Sequence, residues 1–138
     1  MKRLFNFALV ALAAITFVSC GSKSPEDVVV TFEKLYNSGK IDEAMEYVCF
    51  SSEEEMFKSA NIVILKERFA EALAQVDEYK LLDVSDVEVE IFDETTAFAC
   101  YNLKQSVNGQ EIVEAKETYM FKTDKGWQVS FDSLKEDL

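Results

Sequence analysis

Once an amino-terminal leader is set aside, a chain of 138 residues suits one domain rather than two, and an apolar content of 49% is enough for a buried core. The formal charge of −12 argues against nucleic acid as a partner, because phosphate binding needs a basic surface; the acidity reads as a solubilising surface. There is no histidine, which removes the usual general base, the imidazole metal ligand and any triad built on histidine.

Residues 1–19 read as a secretory leader. Lys2 and Arg3 form a positive start, and Phe7 to Val18 is an unbroken apolar run. Twelve helical residues rise about 18 Å, short of a hydrocarbon core of roughly 30 Å, so the run is not a stable membrane span. Phe17-Val18-Ser19-Cys20 resembles the lipobox of bacterial lipoproteins, with phenylalanine where leucine is usual. The resemblance implies cleavage after Ser19, a diacylglycerol thioether on Cys20 and acylation (a palmitate-type chain) of the new amino group. Three chains would make a firm membrane anchor. The alternative is an ordinary signal peptide with an incidental cysteine. Residues 20–24 form the lipidated tether. Gly21-Ser22-Lys23 lacks the acidic run of known surface-export signals, so the expected location is the bacterial cell envelope, facing the periplasm.

The domain then runs over 25–138. Ser24-Pro25-Glu26-Asp27 is a helix start, with a serine cap, proline at the first position and acids in the first turn. Val28, Phe32, Leu35 and Tyr36 repeat at helical spacing up to a stop at Asn37-Ser38-Gly39. Asp42 is expected to cap a second short helix presenting Ala44, Met45, Val48 and Cys49 on one side. A third begins at Ser51-Ser52-Glu53-Glu54-Glu55 and carries Phe57, Leu65, Phe69, Leu73 and Val76 to about Glu78, with a β-branched interruption expected between Asn61 and Leu65.

From Leu82 to Asp132 the periodicity alternates, and three turns divide four strands. Asn108-Gly109 is a two-residue type I′ signal, pairing Lys104 with Val113, Asn102 with Ala115, Cys100 with Glu117 and Phe98 with Tyr119. A turn at Asp93-Glu94 would set Ile91 opposite Thr96 and Val89 opposite Phe98. Thr123-Asp124-Lys125-Gly126 reads as a hairpin with a bulge that keeps Trp127, Val129 and Phe131 on the face of Tyr119 and Phe121. The expected core face therefore carries Val87, Val89, Ile91, Phe98, Cys100, Val113, Ala115, Tyr119, Phe121, Trp127, Val129 and Phe131.

The opening from Ser24 through Phe32, Leu35, Tyr36, Asn37, Gly39, Lys40, Asp42 and Ala44, with the closing Gly126-Trp127-Gln128-Val129, resembles small lipoprotein domains of the nuclear transport factor 2-like superfamily. That superfamily is cystatin-like and includes a lumazine-binding-like group of unknown function. The resemblance implies an α+β fold, with amino-terminal helices packed on a curved four-stranded antiparallel sheet to form a cone that often holds a pocket. Enzymes on that scaffold include ketosteroid isomerases, dehydratases and epoxide hydrolases. None of their catalytic residues is matched by a motif here, and fold alone licenses no chemistry.

Asn102, Lys104 and Glu117 fall on the otherwise apolar face of the derived register. Asn102, Glu117, Tyr119 and Trp127 are therefore the ligand-pocket candidates: Glu117 would hold or deprotonate a ligand, with Asn102 and Tyr119 donating hydrogen bonds. On the blander view this face emerges into solvent near the cone's mouth, and Glu117 pairs with Lys104 or water. Cys49 and Cys100 are either one disulfide between the second helix and the second strand or two buried thiols. No metal-ligand spacing and no cofactor motif is present. Ala97, Ala99, Tyr101 and Leu103, facing Met120, Thr118, Lys116 and Glu114, would form the outer face, either solvated or pairing sheet to sheet in a homodimer.

The function expected is a lipid-anchored binding or accessory module, more binder than enzyme, holding a small molecule or peptide in the cone and attached to the membrane through Cys20. The alternative is a scaffold that meets an envelope protein through its outer sheet face. A small hydrolase or isomerase using Glu117 is the third option.

Overall fold

A computed structural model describes residues 23–138; the leader, Cys20 and most of the tether lie outside the described residues. Helix α1 (Pro25–Asn37) begins as the sequence requires: Ser24 Oγ accepts from the Asp27 N–H at 3.2 Å, and Pro25 takes the first turn, where no amide donor is needed. Its end is closed at Gly39, which adopts φ +84°. Val28, Val29, Phe32 and Tyr36 form its inward stripe.

Helix α2 (Ile41–Ala44) is shorter than expected, and Asp42 does not cap it: the cap position is Lys40, with no side-chain bond. Met45–Tyr47 tightens into a 3₁₀ turn, and Val48–Cys49 extends as a two-residue strand, β1. Valine and cysteine suit the pleat better than the helix. Helix α3 (Ser52–Met56) opens with a capping box in which Ser51 and Glu54 bond each other's backbone N–H groups at 3.2 and 2.7 Å. The break from helix α4 (Lys58–Ala74) falls at Phe57, not between Asn61 and Leu65. The β-branched residues there continue the helix, because their stiffness costs only tenths of a kcal/mol each.

Strands β2 (Tyr79–Ile91), β3 (Thr96–Val107), β4 (Gln110–Thr123) and β5 (Gly126–Ser130) complete a five-stranded sheet in the order β1-β5-β4-β3-β2. All neighbours are antiparallel except β1 and β5, where Val48 lies beside Val129. That short parallel pair is the fifth strand, additional to the four expected. Asn108 at φ +54° and Gly109 at φ +79° make the two-residue turn, and every pair expected between β3 and β4 is present. Asn108 also binds the start of β2, its Oδ1 accepting from the Asp77 and Glu78 N–H groups.

The two flanking turns differ from expectation by one residue each. Asp93 Oδ1 accepts from the Thr95 N–H at 2.8 Å and holds Thr95 inside the loop, so that Ile91 meets Ala97 and Val89 meets Ala99. At the other end Thr123 pairs directly with Gly126, without a bulge, and brings Val129 opposite Met120. Both slips have the same effect, since one residue exchanges the faces of a strand. On β3 and β4 the core face is accordingly the opposite of the one expected, while Val87, Val89, Val129 and Phe131 stay with the core as expected. Ala97, Ala99, Tyr101, Leu103 and Met120 are buried, with Val129, Phe131 and Leu134, while Val113, Tyr119 and Phe121 face outward. The small side chains Ala97 and Ala99 belong to the buried inner face of the sheet that α1 covers.

β2 is an outer edge of the sheet and is interrupted twice, between Leu81 and Asp83 and between Ser85 and Glu88. Asp86 takes φ +54° in the second bulge and accepts from Asn102 Nδ2 at 3.0 Å. The carboxy-terminal 3₁₀ segment Phe131–Asp137 folds back to place Phe131 against Phe50 and Leu134 in the core.

Candidate functional site

Between α1, α4, the concave sheet face and the carboxy-terminal segment lies an open pocket of about 730 Å³. α1 contributes Phe32, Glu33, Tyr36 and Asn37; α4 contributes Phe69, Leu73 and neighbours; the sheet contributes Tyr79, Tyr101, Leu103, Gln105, Glu114 and Lys116. Aromatic and aliphatic walls carrying a few converging polar groups are the usual make-up of a small-molecule site.

Its chemical centre is Glu33, a residue the sequence reading passed over. Glu33 is 3% exposed. The Tyr101 hydroxyl donates to its Oε2 in a very short hydrogen bond, and Asn37 Nδ2 donates to its Oε1 at 2.9 Å and to its backbone carbonyl at 2.8 Å. Burial pushes the Glu33 carboxyl above the ordinary carboxylate range, against the opposing pull of Tyr101, Lys116 and Asn37. Tyr101 is itself raised far beyond an ordinary phenol, by burial first and by Glu33 next, so it stays a donor at any working pH. Tyr79 is pushed up to about 12 by burial and by the charges of Glu33 and Glu114.

From Glu33 a line of polar groups runs along the pocket wall. The Tyr79 hydroxyl sits 2.9 Å from Asn37 Oδ1 and 2.8 Å from Gln105 Oε1, and Gln105 Nε2 donates to Glu114 Oε1 at 3.3 Å. A second pocket of about 320 Å³ opens behind Asn37 and Tyr79, between the end of α1 and β2. The Asn37–Tyr79 hydrogen bond therefore forms part of the partition between the two. A carboxyl able to hold its proton, beside fixed donors, can receive a ligand's acceptor, give up a proton or take one.

The candidates drawn from the sequence lie elsewhere. Asn102, Glu117 and Tyr119 are on the outer face, where Tyr119 packs on Phe98 with ring centres 4.9 Å apart and is 53% exposed. Lys104 is on that face too, opposite Val113. Asn102 and Glu117 stand near one another there, but neither lines the cone. Trp127 sits at the far hairpin, under the Lys122 ammonium at 5.9 Å from the ring centre, apart from the other three. For Asn102, Glu117 and Tyr119 the physical reason is the exchange of faces described above; Trp127 stays on the core side but at the hairpin, away from the pocket lining. Cys49 and Cys100 are free thiols. β5 and β4 separate their strands, a span of about 14 Å at ordinary strand spacing, whereas a disulfide needs Cα atoms within about 7 Å. Burial and nearby carboxylates raise both thiols, which disfavours the thiolate form. No group of three or more metal-ligating side chains assembles among the described residues.

No family model matches the chain, and no curated protein does. Among solved structures it is similar to a Campylobacter jejuni protein described as a candidate NTF2-like transpeptidase, at 20% identity and a TM-score of 0.51, covering 78% of this chain and 98% of that one. It also aligns with the intermembrane space region of the chloroplast protein ARC6, at 24% identity and a TM-score of 0.32, over 50% of this chain and 64% of that one. The first likeness shows that the fold is nuclear transport factor 2-like, in agreement with the helices-on-curved-sheet architecture.

Proposed function

We propose that this chain is a binding module of the bacterial cell envelope, anchored by lipid at Cys20 and holding a small molecule or short peptide in its cone. The observation that carries the binding reading is the 730 Å³ pocket with buried Glu33 at its base, tied to Tyr101 and Asn37. A cone built only for packing would be closed by side chains, as the region beside β1 is by Phe131 against Phe50. The carboxyl available to a bound molecule is Glu33 rather than Glu117, so the hydrolase or isomerase built on Glu117 is set aside. Anchoring rests on the lipobox-like Phe17-Val18-Ser19-Cys20. A domain beginning at Ser24 would stand close to the bilayer.

Native mass spectrometry of the gently purified protein is the first test. A co-purifying molecule that is lost in Phe69→Glu, a substitution on the α4 wall, supports the pocket; a ligand retained by that variant overturns it. Cys20→Ala should move the protein from the membrane to the soluble fraction while leaving its fold unchanged, and a variant still in the membrane fraction refutes the lipid anchor.

A second reading has its own observation. Val113, Tyr119 and Phe121 are 56%, 53% and 38% exposed on the outer sheet face around Phe98. An aromatic patch of that kind suits a protein partner, an envelope protein or a second copy in a homodimer. Sedimentation of the wild type beside Tyr119→Lys checks the homodimer: loss of a dimer in the variant supports it, and a monomeric wild type removes it.

A further inference from the structure

The wall of the pocket constrains what its occupant carries, and this inference rests on the pocket reading above. The line Glu33, Asn37, Tyr79, Gln105, Glu114 has a carboxyl at each end and two amides inside it. Both amides turn their NH₂ groups toward the carboxyls, and both carbonyl oxygens converge on the Tyr79 hydroxyl, at 2.9 and 2.8 Å. A phenol has one proton. One of the two carbonyls is therefore left facing an oxygen.

Asn37 cannot relieve this, because its NH₂ is also held by the Glu33 backbone carbonyl at 2.8 Å, and turning the amide would set oxygen against oxygen. Gln105 can turn, at the loss of one long bond to Glu114. It then donates to Tyr79 and presents its carbonyl to the Glu114 carboxylate. Two acceptors face each other at the pocket wall and ask for a group with two or more protons. In either orientation the line is one donor short, and with Gln105 turned the unmet acceptors are its carbonyl and the Glu114 carboxylate.

Lys116 adds a second constraint. It follows Glu114 by two residues, lines the same pocket and lies on the same face, about 7 Å along the strand. Among the described residues neither Glu114 nor Lys116 has an ion-pair partner within 4 Å, the two of them included. A lone amine would be repelled by Lys116, and a lone carboxylate by Glu114. A molecule carrying both charges in the opposite order is attracted by both.

We propose that the cone takes a short peptide with free termini. Its α-ammonium bridges the Glu114 carboxylate and the Gln105 carbonyl, and its carboxylate meets the Lys116 ammonium. Two extended residues span about 7 Å, comparable with the spacing of the Glu114 and Lys116 positions along β4, whereas a single amino acid holds its charges much closer together. Phe32, Tyr36, Phe69 and Leu103 supply an apolar surface for the peptide side chains.

The test uses the full chain in detergent, titrated calorimetrically with dileucine, N-acetyl-dileucine, dileucine amide and free leucine. Dileucine should bind, acetylation should weaken it at least tenfold, and amidation or shortening to leucine should each weaken it severalfold. Glu114→Gln should erase the penalty of acetylation and Lys116→Met that of amidation. Equal binding of dileucine and its acetyl form overturns the proposal, and leucine binding as well as dileucine overturns the peptide assignment. The neutral fluorescent probe N-phenyl-1-naphthylamine separates the two levels of the argument. If the probe is bound in the wild type and lost in Phe69→Glu while dileucine neither binds nor displaces it, the peptide inference fails and the pocket stands. If neither binds, both fail.

Discussion

The two principal helices are unequal partners of the sheet. α1 has 13 residues and buries Pro25, Val28, Val29, Phe32, Glu33 and Tyr36, whereas α4 has 17 and buries Leu65 alone. α4 leaves Val63 and Leu73 at 54% and 40% exposure, and Met56 and Phe57 before it at 78% and 61%. α1 is the keel on which the sheet closes; α4 is a wall held at one fully buried point, with Phe69 leaning on Tyr36 at 6.1 Å between ring centres. Binding elements are drawn from the less stable parts of a fold, and α4 is one wall of the pocket.

That contrast can be broken by substitution. Phe32→Ala on α1 should cost about 3–5 kcal/mol and lower the whole unfolding transition in denaturant; a loss below about 1 kcal/mol would remove α1 from its central role. Leu65→Ala should cost about 2–3 kcal/mol and show first as faster amide exchange confined to residues 58–74. Uniform acceleration across the sheet would mean that α4 unfolds with the core and the inequality is false.

Two smaller effects sharpen the comparison at the point where α1 meets the pocket. Burial holds the Glu33 proton more tightly in the folded chain than in the unfolded one, whose ordinary value is 4.5. Its contribution is therefore fully present below pH 4.5 and is lost as pH rises from there through the raised folded value. The stability of Glu33→Gln relative to wild type should accordingly rise with pH above 4.5, by about 1.4 kcal/mol for each unit by which the folded value is raised. A flat difference curve from pH 4 to 8 would show that Glu33 is not raised. Tyr79→Phe, which removes the proton shared by Asn37 and Gln105, should cost about 1 kcal/mol and leave the α4 exchange pattern unchanged. A change in that pattern would tie the partition to the α4 wall.

Much of the fold was legible in the sequence, down to the start and stop of α1 and every pair between β3 and β4, because Ser24-Pro25, Gly39 and Asn108-Gly109 act through local backbone chemistry. The choice of sheet face was not. It hung on two turns whose loops differ by one residue, and the large apolar groups Phe98, Tyr119 and Phe121 made the outer face look like the core. The better clue was the size of Ala97 and Ala99, which leave room for a helix to cover the sheet. Once the faces were exchanged, Asn102, Glu117 and Tyr119 left the cone together. Glu33 did have a signal: it lies four residues after Val29 and three before Tyr36, a carboxyl inside an apolar stripe. Its partner Tyr101 is 68 residues away, and no periodicity reports a contact across that separation.

The interrupted edge of the sheet bears on how many copies can crowd together. β2 pairs in runs of Tyr79–Leu81, Asp83–Ser85 and Glu88–Ile91, each ended by a bulge or by the strand's own limit. A passing extended chain could match only three or four residues before the next kink turned the open amide groups away, and Asp83, Asp86, Glu88 and Glu90 add charge along the same border. Crowded copies would thus slide past one another without stitching their sheets into a continuous fibre.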